Sequence, residues 1–249
     1  MEKIGLQLYS LRMDTAKDLL GTMRKVAEIG YDGVEFAGYF GVPAKELKTA
    51  LDDFGMKPAG SHIGIDQLTS RLDAVIDFSL ELGEPYIICP GLPHEMTDSM
   101  EACLNTAELF NRIGEKCNAN GLQFYYHNHY HEFEKRNGEF ILDILMANTE
   151  EDNLHAELDT YWVEYAGLKS VDFMKKYGNR CSILHIKDML DHTNKNCVTI
   201  GQGVLDFKEI TALGKELGVR WYTVEQEEFA GNPYEELEQG LKYLRGILK

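Results

Sequence analysis

The sequence is poor in positive charge and has no closely spaced cysteines. Lys and Arg number 25 against 41 Asp and Glu, a formal net charge of −16, and the pI is about 4.9. A nucleic-acid-binding surface needs a basic footprint to displace counterions from phosphates, so this balance argues against that class. The five cysteines, Cys89, Cys103, Cys117, Cys181 and Cys197, are odd in number, scattered, and form no CxxC pair. They read as reduced packing thiols, not as a disulfide framework or a thiolate metal site. No apolar run is long enough to cross a bilayer, and the start, MEKIGLQLYS, has no apolar signal region. A soluble, cytoplasmic protein with no membrane partner is expected. The first apolar run leads into LYSLRMDT without a GxGxxG, which argues against a dinucleotide-binding doubly wound sheet. No linker, low-complexity tract or compositional break divides the chain, so one domain over residues 1–249 is expected.

Against these absences stands a steady alternation of short apolar runs and helical patterns. The runs are IGLQLYS, GVEFAG, KPAGSHIG, PYIICPG, LQFYYHNH, LHAELDTYW, CSILHIKD and WYTVEQE. Between the first two, Leu19, Met23, Val26 and Ile29 recur at three- and four-residue steps and Gly30 closes the helix. Pro43 and Gly55 bracket the next helix. Another runs through TSRLDAVIDFSLELG, with Leu72, Val75, Ile76 and Leu82 on its apolar face. Further helices are predicted near residues 98–120, 138–147 and 168–177. Asp206, with Glu209 three residues on, caps one more, and Asn232 and Pro233 begin the last. Eight strands, each followed by a helix, imply parallel pairing and right-handed crossovers. Eight such units in a chain of this length predict an α/β fold, the (β/α)8 TIM barrel.

Active sites in such barrels lie at the C-terminal ends of the strands. Ionisable residues collect there: Glu35 after strand two, His62 after strand three, the HNHYHE segment after strand five, Asp159 after strand six, His185, Lys187 and Asp188 after strand seven, and Glu225 after strand eight. Buried together without a cation or substrate, Asp159, His185 and Glu225 would be costly. A mixed carboxylate and imidazole set suits Mn²⁺ best, with Co²⁺, Fe²⁺, Zn²⁺ and Mg²⁺ also compatible.

Six segments in order, GYDGVEFAG, YHNHYHEFE, ELDTYWV, HIKD, GQGVLDF and YTVEQE, give the chain a resemblance to the sugar phosphate isomerase/epimerase family of xylose isomerase-like barrels. That resemblance implies a divalent metal held by Glu132, Asp159, His185 and Glu225. On a strictly alternating strand, His127, His129 and His131 would share one face and Glu132 the other, so His129 or His131 is the alternative strand-five ligand. The shared chemistry of the family is proton abstraction next to a carbonyl through a metal-stabilised enediolate, giving epimerisation or isomerisation of a sugar or keto-sugar. Loss of a β-oxygen instead would make the enzyme a lyase of the inosose dehydratase or 3-keto-glycoside kind. Two departures weaken a plain ketose 3-epimerase reading: Trp162 stands three residues after Asp159, where those enzymes carry histidine, and Lys187 replaces an arginine.

The expected roles follow. Glu132 and Glu225 serve as acid and base, with His129 a second base. Lys187 holds a substrate oxygen, Glu35 and His62 bind hydroxyls, and Trp162, Tyr9 and Phe36 stack on the sugar. A plainer reading exists for several of these. Glu35 would equally well hydrogen-bond loop amides, and Asp188 would equally well pair with Lys187 or cap a turn. His127 reads as a buried histidine that orients a ligand. Asn128 reads as structural, and His94, His155 and His192 as surface residues. Gly201 to Val204 reads as a tight turn, and Glu227 and Glu228 as a solvated acidic face. The expected partner is a small carbohydrate, with a possible homo-oligomer through the apolar strip from Tyr161 to Tyr165.

Overall fold

The computed structural model describes residues 2–248. Its centre is a closed barrel of parallel strands: β1 (Lys3–Gln7), β2 (Gly33–Phe36), β3 (Lys57–His62), β4 (Tyr86–Cys89), β5 (Gln123–His127), β6 (His155–Asp159), β7 (Ile183–Ile186) and β8 (Trp221–Val224). Each strand pairs with its sequence neighbours, and β1 closes the ring against β8, Lys3 opposite Trp221 and Leu6 opposite Val224. The main outer helices are α1 (Leu19–Ile29), α2 (Ala44–Phe54), α3 (Leu72–Leu82), α4 (Met100–Ala119), α5 (Ile141–Ala147), α6 (Ser170–Tyr177), α7 (Phe207–Leu217) and α8 (Pro233–Ile247). This is the (β/α)8 TIM barrel that the alternation predicts.

Local chemistry explains the helix ends. Asp18 accepts from Gly21 N at 2.8 Å, Ser99 from Ala102 N at 3.1 Å and Asp206 from Glu209 N at 3.0 Å, each satisfying a first-turn amide. Three expected helices are shorter than predicted. Arg71, with φ −152°, separates Ile65–Ser70 from α3, so Thr69 and Ser70 end one helix instead of starting the next. Asn137 and Gly138, both at positive φ, form the tight turn of a small hairpin, Lys135–Arg136 with Glu139–Phe140, which delays α5 to Ile141. The helix expected from residue 168 begins at Ser170.

The barrel interior is layered. Ala59, Tyr86, Ile88, Tyr125, Ile183 and Trp221 form one buried apolar cluster separate from the main core. Trp221 fits because β1 and β2 carry glycine opposite it: a Cβ on Gly33 would lie 2.7 Å from the indole and 2.1 Å from the Lys57 carbonyl oxygen. Two residues further along each strand, on the same inward face, come Gln7, Glu35, His127, His185 and Thr223. The apolar layer is therefore a floor, and polar side chains stand on it. The larger core lies between the barrel and its helices, and it contains Cys89, Cys103, Cys117 and Cys181. All five cysteines are free and buried. Among the described residues, no helix is long and apolar enough to cross a membrane.

Candidate active site and metal centre

A cavity of about 390 Å³ opens at the C-terminal ends of the strands, lined by Tyr9, Ala37, His62, Pro90, His127, His129, Trp162, Glu225 and Glu227. Beneath it, ligand atoms of His127, Asp159, His185 and Glu225 all lie within 4.8 Å of one another. Alternation explains the convergence. Asp159 is the last inward position of β6, His185 an inward position of β7, and Glu225 follows two residues after Thr223 on β8.

Three of the four residues expected to hold a metal, Asp159, His185 and Glu225, therefore meet. Glu132 does not join them. Its buried carboxylate accepts from the Tyr126 hydroxyl, from His129 N at 2.7 Å, and pairs with His131 Nε2 at 2.7 Å. The chain turns into a short 3-10 helix, Tyr130–Phe133, directly after β5, and that turn carries Glu132 away from the barrel axis. Neither His131 nor Glu132 belongs to the cluster; the strand-five member is His127, at the last position of β5. Glu132 is thus tied to the turn that presents His129, and it is not among the cavity-lining residues expected of an acid or base.

The electrostatics suit a cation. Burial pushes Asp159 up to about 7 even though Lys187 and His185 favour its charged form. Burial works the same way on Glu225, but the His185 ring, its Nδ1 3.6 Å away, and the Lys187 charge outweigh it and hold the carboxyl down at about 2. Asp159 Oδ2 and His185 Nδ1 are buried and have no hydrogen-bond partner among the described residues. Unsatisfied buried acceptors are rare and costly, and a bound cation would satisfy both.

Other expected site residues fall into three groups. His62, His129, Trp162 and Tyr9 do line the cavity. Lys187 is buried inside the site, its ammonium over the rings of Tyr161 and Trp162 and paired with Glu227. Glu227 therefore has a partner in the site and is not part of a solvated face. Glu35 and Phe36 are fully buried and cannot touch a substrate. Phe36 packs on Tyr39, while Glu35 accepts from Gln7 Nε2 at 2.5 Å and lies 2.9 Å from both His62 Nε2 and His185 Nε2. Its role is to hold imidazoles from behind.

Two plainer expectations also change, and a third is settled. His155 is buried against Tyr125, because it sits on the inward face of β6. Tyr161 and Val163 are buried, and Trp162 and Tyr165 pack on Tyr130 and Tyr161, so the proposed interface strip is largely used within the chain. Of the two roles expected of Asp188, pairing with Lys187 is not seen and capping a turn is. Its carboxylate accepts backbone N–H groups from Met189, Gly201, Gly203 and Leu205, which makes the GQG segment a structural turn. Glu157 was missed. It lies two residues before Asp159 on the same inward face of β6, a spacing that was visible in ELD.

The sequence matches the family described as Xylose isomerase-like TIM barrel over residues 23–247. The chain belongs to that family. Among curated proteins it is similar to the inosose dehydratase of Clostridium beijerinckii, 22% identical over 89% of this chain and 87% of that protein. A solved sugar phosphate isomerase/epimerase from Parabacteroides distasonis superposes with a TM-score of 0.87 at 26% identity, covering 100% of this chain and 96% of that one. An L-ribulose 3-epimerase superposes at TM-score 0.77 and 14% identity over 100% of this chain and 95% of the other, a likeness of fold.

Proposed function

We propose that this protein is a divalent-metal-dependent isomerase or epimerase of a sugar or keto-sugar, acting by proton abstraction next to a carbonyl. The observation that carries the reading is the Asp159, His185 and Glu225 cluster with its unsatisfied oxygen and nitrogen, placed under a cavity of sugar size. A zinc-bound structure of the IOLI protein, 15% identical and similar in fold, supports a metal in such a barrel. Asp159, His185 and Glu225 are the residues that would hold the ion here. When bound, a divalent cation supplies Lewis-acid stabilisation of negative charge developing on a substrate oxygen. Carboxylates with imidazole favour Mn²⁺, with Zn²⁺, Fe²⁺, Co²⁺ and Mg²⁺ as competitors.

The chain's own residues then divide the work. His129 lines the cavity, and burial pulls its imidazole toward the neutral form, which can accept a proton. Glu225 lines the same cavity, but His185 and Lys187 hold it ionised far below neutral pH, which suits a metal ligand better than the second proton carrier expected of it. Trp162, set 5.6 Å from the His129 ring, offers an apolar face to a sugar ring. Lys187 is fixed by two rings and Glu227, and it presents a positive charge to the oxygen that gains electron density. The substrate class is a small carbohydrate, and the acidic surface is unsuited to nucleic acid.

A lyase is the second reading. It is favoured by the inosose dehydratase relatives, at 22–24% identity over 89% of this chain, and by Trp162 in place of an imidazole. The test is solvent exchange. With Mn²⁺ and a panel of keto-sugars in D₂O, proton NMR should show deuterium uptake at the carbon next to the carbonyl. Epimer or isomer products would support the first reading, and dehydrated or cleaved products the second. Bound metal with no exchange on a broad panel would overturn proton abstraction.

A further inference from the structure

Behind the residues just assigned lies a second set of imidazoles and carboxylates that they leave unexplained. Ligand atoms of His62, His127, Glu157 and His185 also lie within 4.8 Å of one another. Glu157 Oε2 is 2.8 Å from His62 Nε2, 3.1 Å from His127 Nδ1 and 3.3 Å from His185 Nε2. Glu35 Oε1 adds contacts of 2.9 Å to His62 and His185. Glu35 and Glu157 are fully buried, and each keeps one carboxylate oxygen, Oε2 and Oε1 respectively, with no hydrogen-bond partner among the described residues.

We infer that this lower set, His62, His127 and Glu157 with Glu35 beside them, is a second divalent-cation site stacked beneath the first. The spacing fits. Around an ion with bonds of about 2.1 Å, neighbouring ligand atoms stand roughly 3.0–3.4 Å apart. The residue types fit too, since two imidazoles with carboxylate suit Zn²⁺ or Fe²⁺. His127 and His185 lie within reach of both groups, and the direction of their ring nitrogens assigns each to one. His127 Nδ1 faces Glu157 below, while His185 Nδ1 faces Glu225 Oε2, 3.6 Å away, above. His185 Nε2–H then donates to Glu35 and ties the upper site to the lower.

Charge points the same way. With all four ionised, Glu35, Glu157, Asp159 and Glu225 would bring four negative charges into a buried volume, and Lys187 is already paired with Glu227. One dication at the upper site offsets half of this. Two dications balance it with the histidines neutral, as ligands must be. The competing arrangement has His62 as an imidazolium between Glu35 and Glu157, with no ion below.

The experiment is metal content. Purified chain is stripped, equilibrated with Zn²⁺ or Mn²⁺ alone, dialysed and measured by mass spectrometry. Two equivalents per chain are expected, falling to one in Glu157→Gln and to one in Asp159→Asn. One equivalent lost only in Asp159→Asn overturns the inference. One equivalent lost only in Glu157→Gln supports the lower site and overturns the upper. Because buried variants can fail to fold, wild-type crystals grown with Zn²⁺ provide a second measurement. An anomalous peak among His62, His127 and Glu157 is expected, and its absence at full upper occupancy overturns the proposal.

Discussion

Asp188 offers a sharp test of how the loop after β7 is held. The carboxylate is 1% exposed and accepts N–H groups from Gly201 and Gly203 on Oδ2, both at 2.9 Å. Oδ1 accepts from Met189 at 2.9 Å and Leu205 at 3.3 Å. Hydrogen bonds to a charged acceptor contribute about 1.5–3 kcal/mol each, and an orphaned buried donor costs about as much. Replacement by alanine removes all four acceptor contacts, but the loop can relax and water can reach some amides. Asp188→Ala should therefore lose about 3–5 kcal/mol of stability. Asp188→Asn should recover at most about half, because in either amide orientation its NH₂ group faces two of the four N–H donors. Gly203→Ala should be comparably harmful, since its Cβ would lie 2.1 Å from the Met189 carbonyl oxygen and 2.3 Å from Asp188 Oδ1. Urea unfolding of the EDTA-stripped proteins, compared at equal slope, gives the numbers. A loss below about 1 kcal/mol for Asp188→Ala would refute the claim that the carboxylate organises the turn.

Other expectations concern the site and its surroundings. His129→Ala should lower kcat by about 10²–10⁴ while leaving metal content unchanged, because the proposed function makes the ring a proton carrier and leaves it out of the ligand set; wild-type kcat would remove it from the mechanism. Trp162→Ala should raise KM more than it lowers kcat, and the opposite split would assign the indole to the chemical step. Glu84 is buried, and that burial, with the nearby Glu35 charge, outweighs the Ser61 hydrogen bond and raises its carboxyl to about 8. The folded chain then binds more protons at this group than the unfolded chain between the ordinary carboxyl range and that value, so stability falls as pH rises through this window. Glu84→Gln should mimic the protonated form and stabilise the protein at pH 8 relative to pH 5 by about 1 kcal/mol or more; a pH-independent difference would contradict it.

The barrel could be read from the sequence because its signals are local and repeat. Strand runs such as PYIICPG and helix stops such as Gly30 each depend on a few neighbouring residues. Asp159, His185 and Glu225 were equally legible, since each ends or follows a strand whose inward face is set by alternation. Glu132 was not, because its direction depends on a single-turn helix after β5, where the two-residue period has already failed. Glu35 could be placed at a strand end but not in depth. Whether it reaches the cavity depends on His62 and His185, which come from distant parts of the chain and cover it. The Asn137–Gly138 turn was a readable hairpin signal, overlooked because its strands are only two residues long.

The aromatic floor has a consequence for traffic. With Trp221 seated over Gly33, and with Tyr86, Tyr125 and Ile183 packed around it, the barrel is plugged at its base. At the other end the cavity opens at the mouth lined by Tyr9, His129 and Trp162. Under the proposed function, a sugar seated there would act as a stopper. Water needed by the reaction would then have to be inside before the substrate arrives. A proton taken from the sugar would stay on residues of the chamber until the visitor departs.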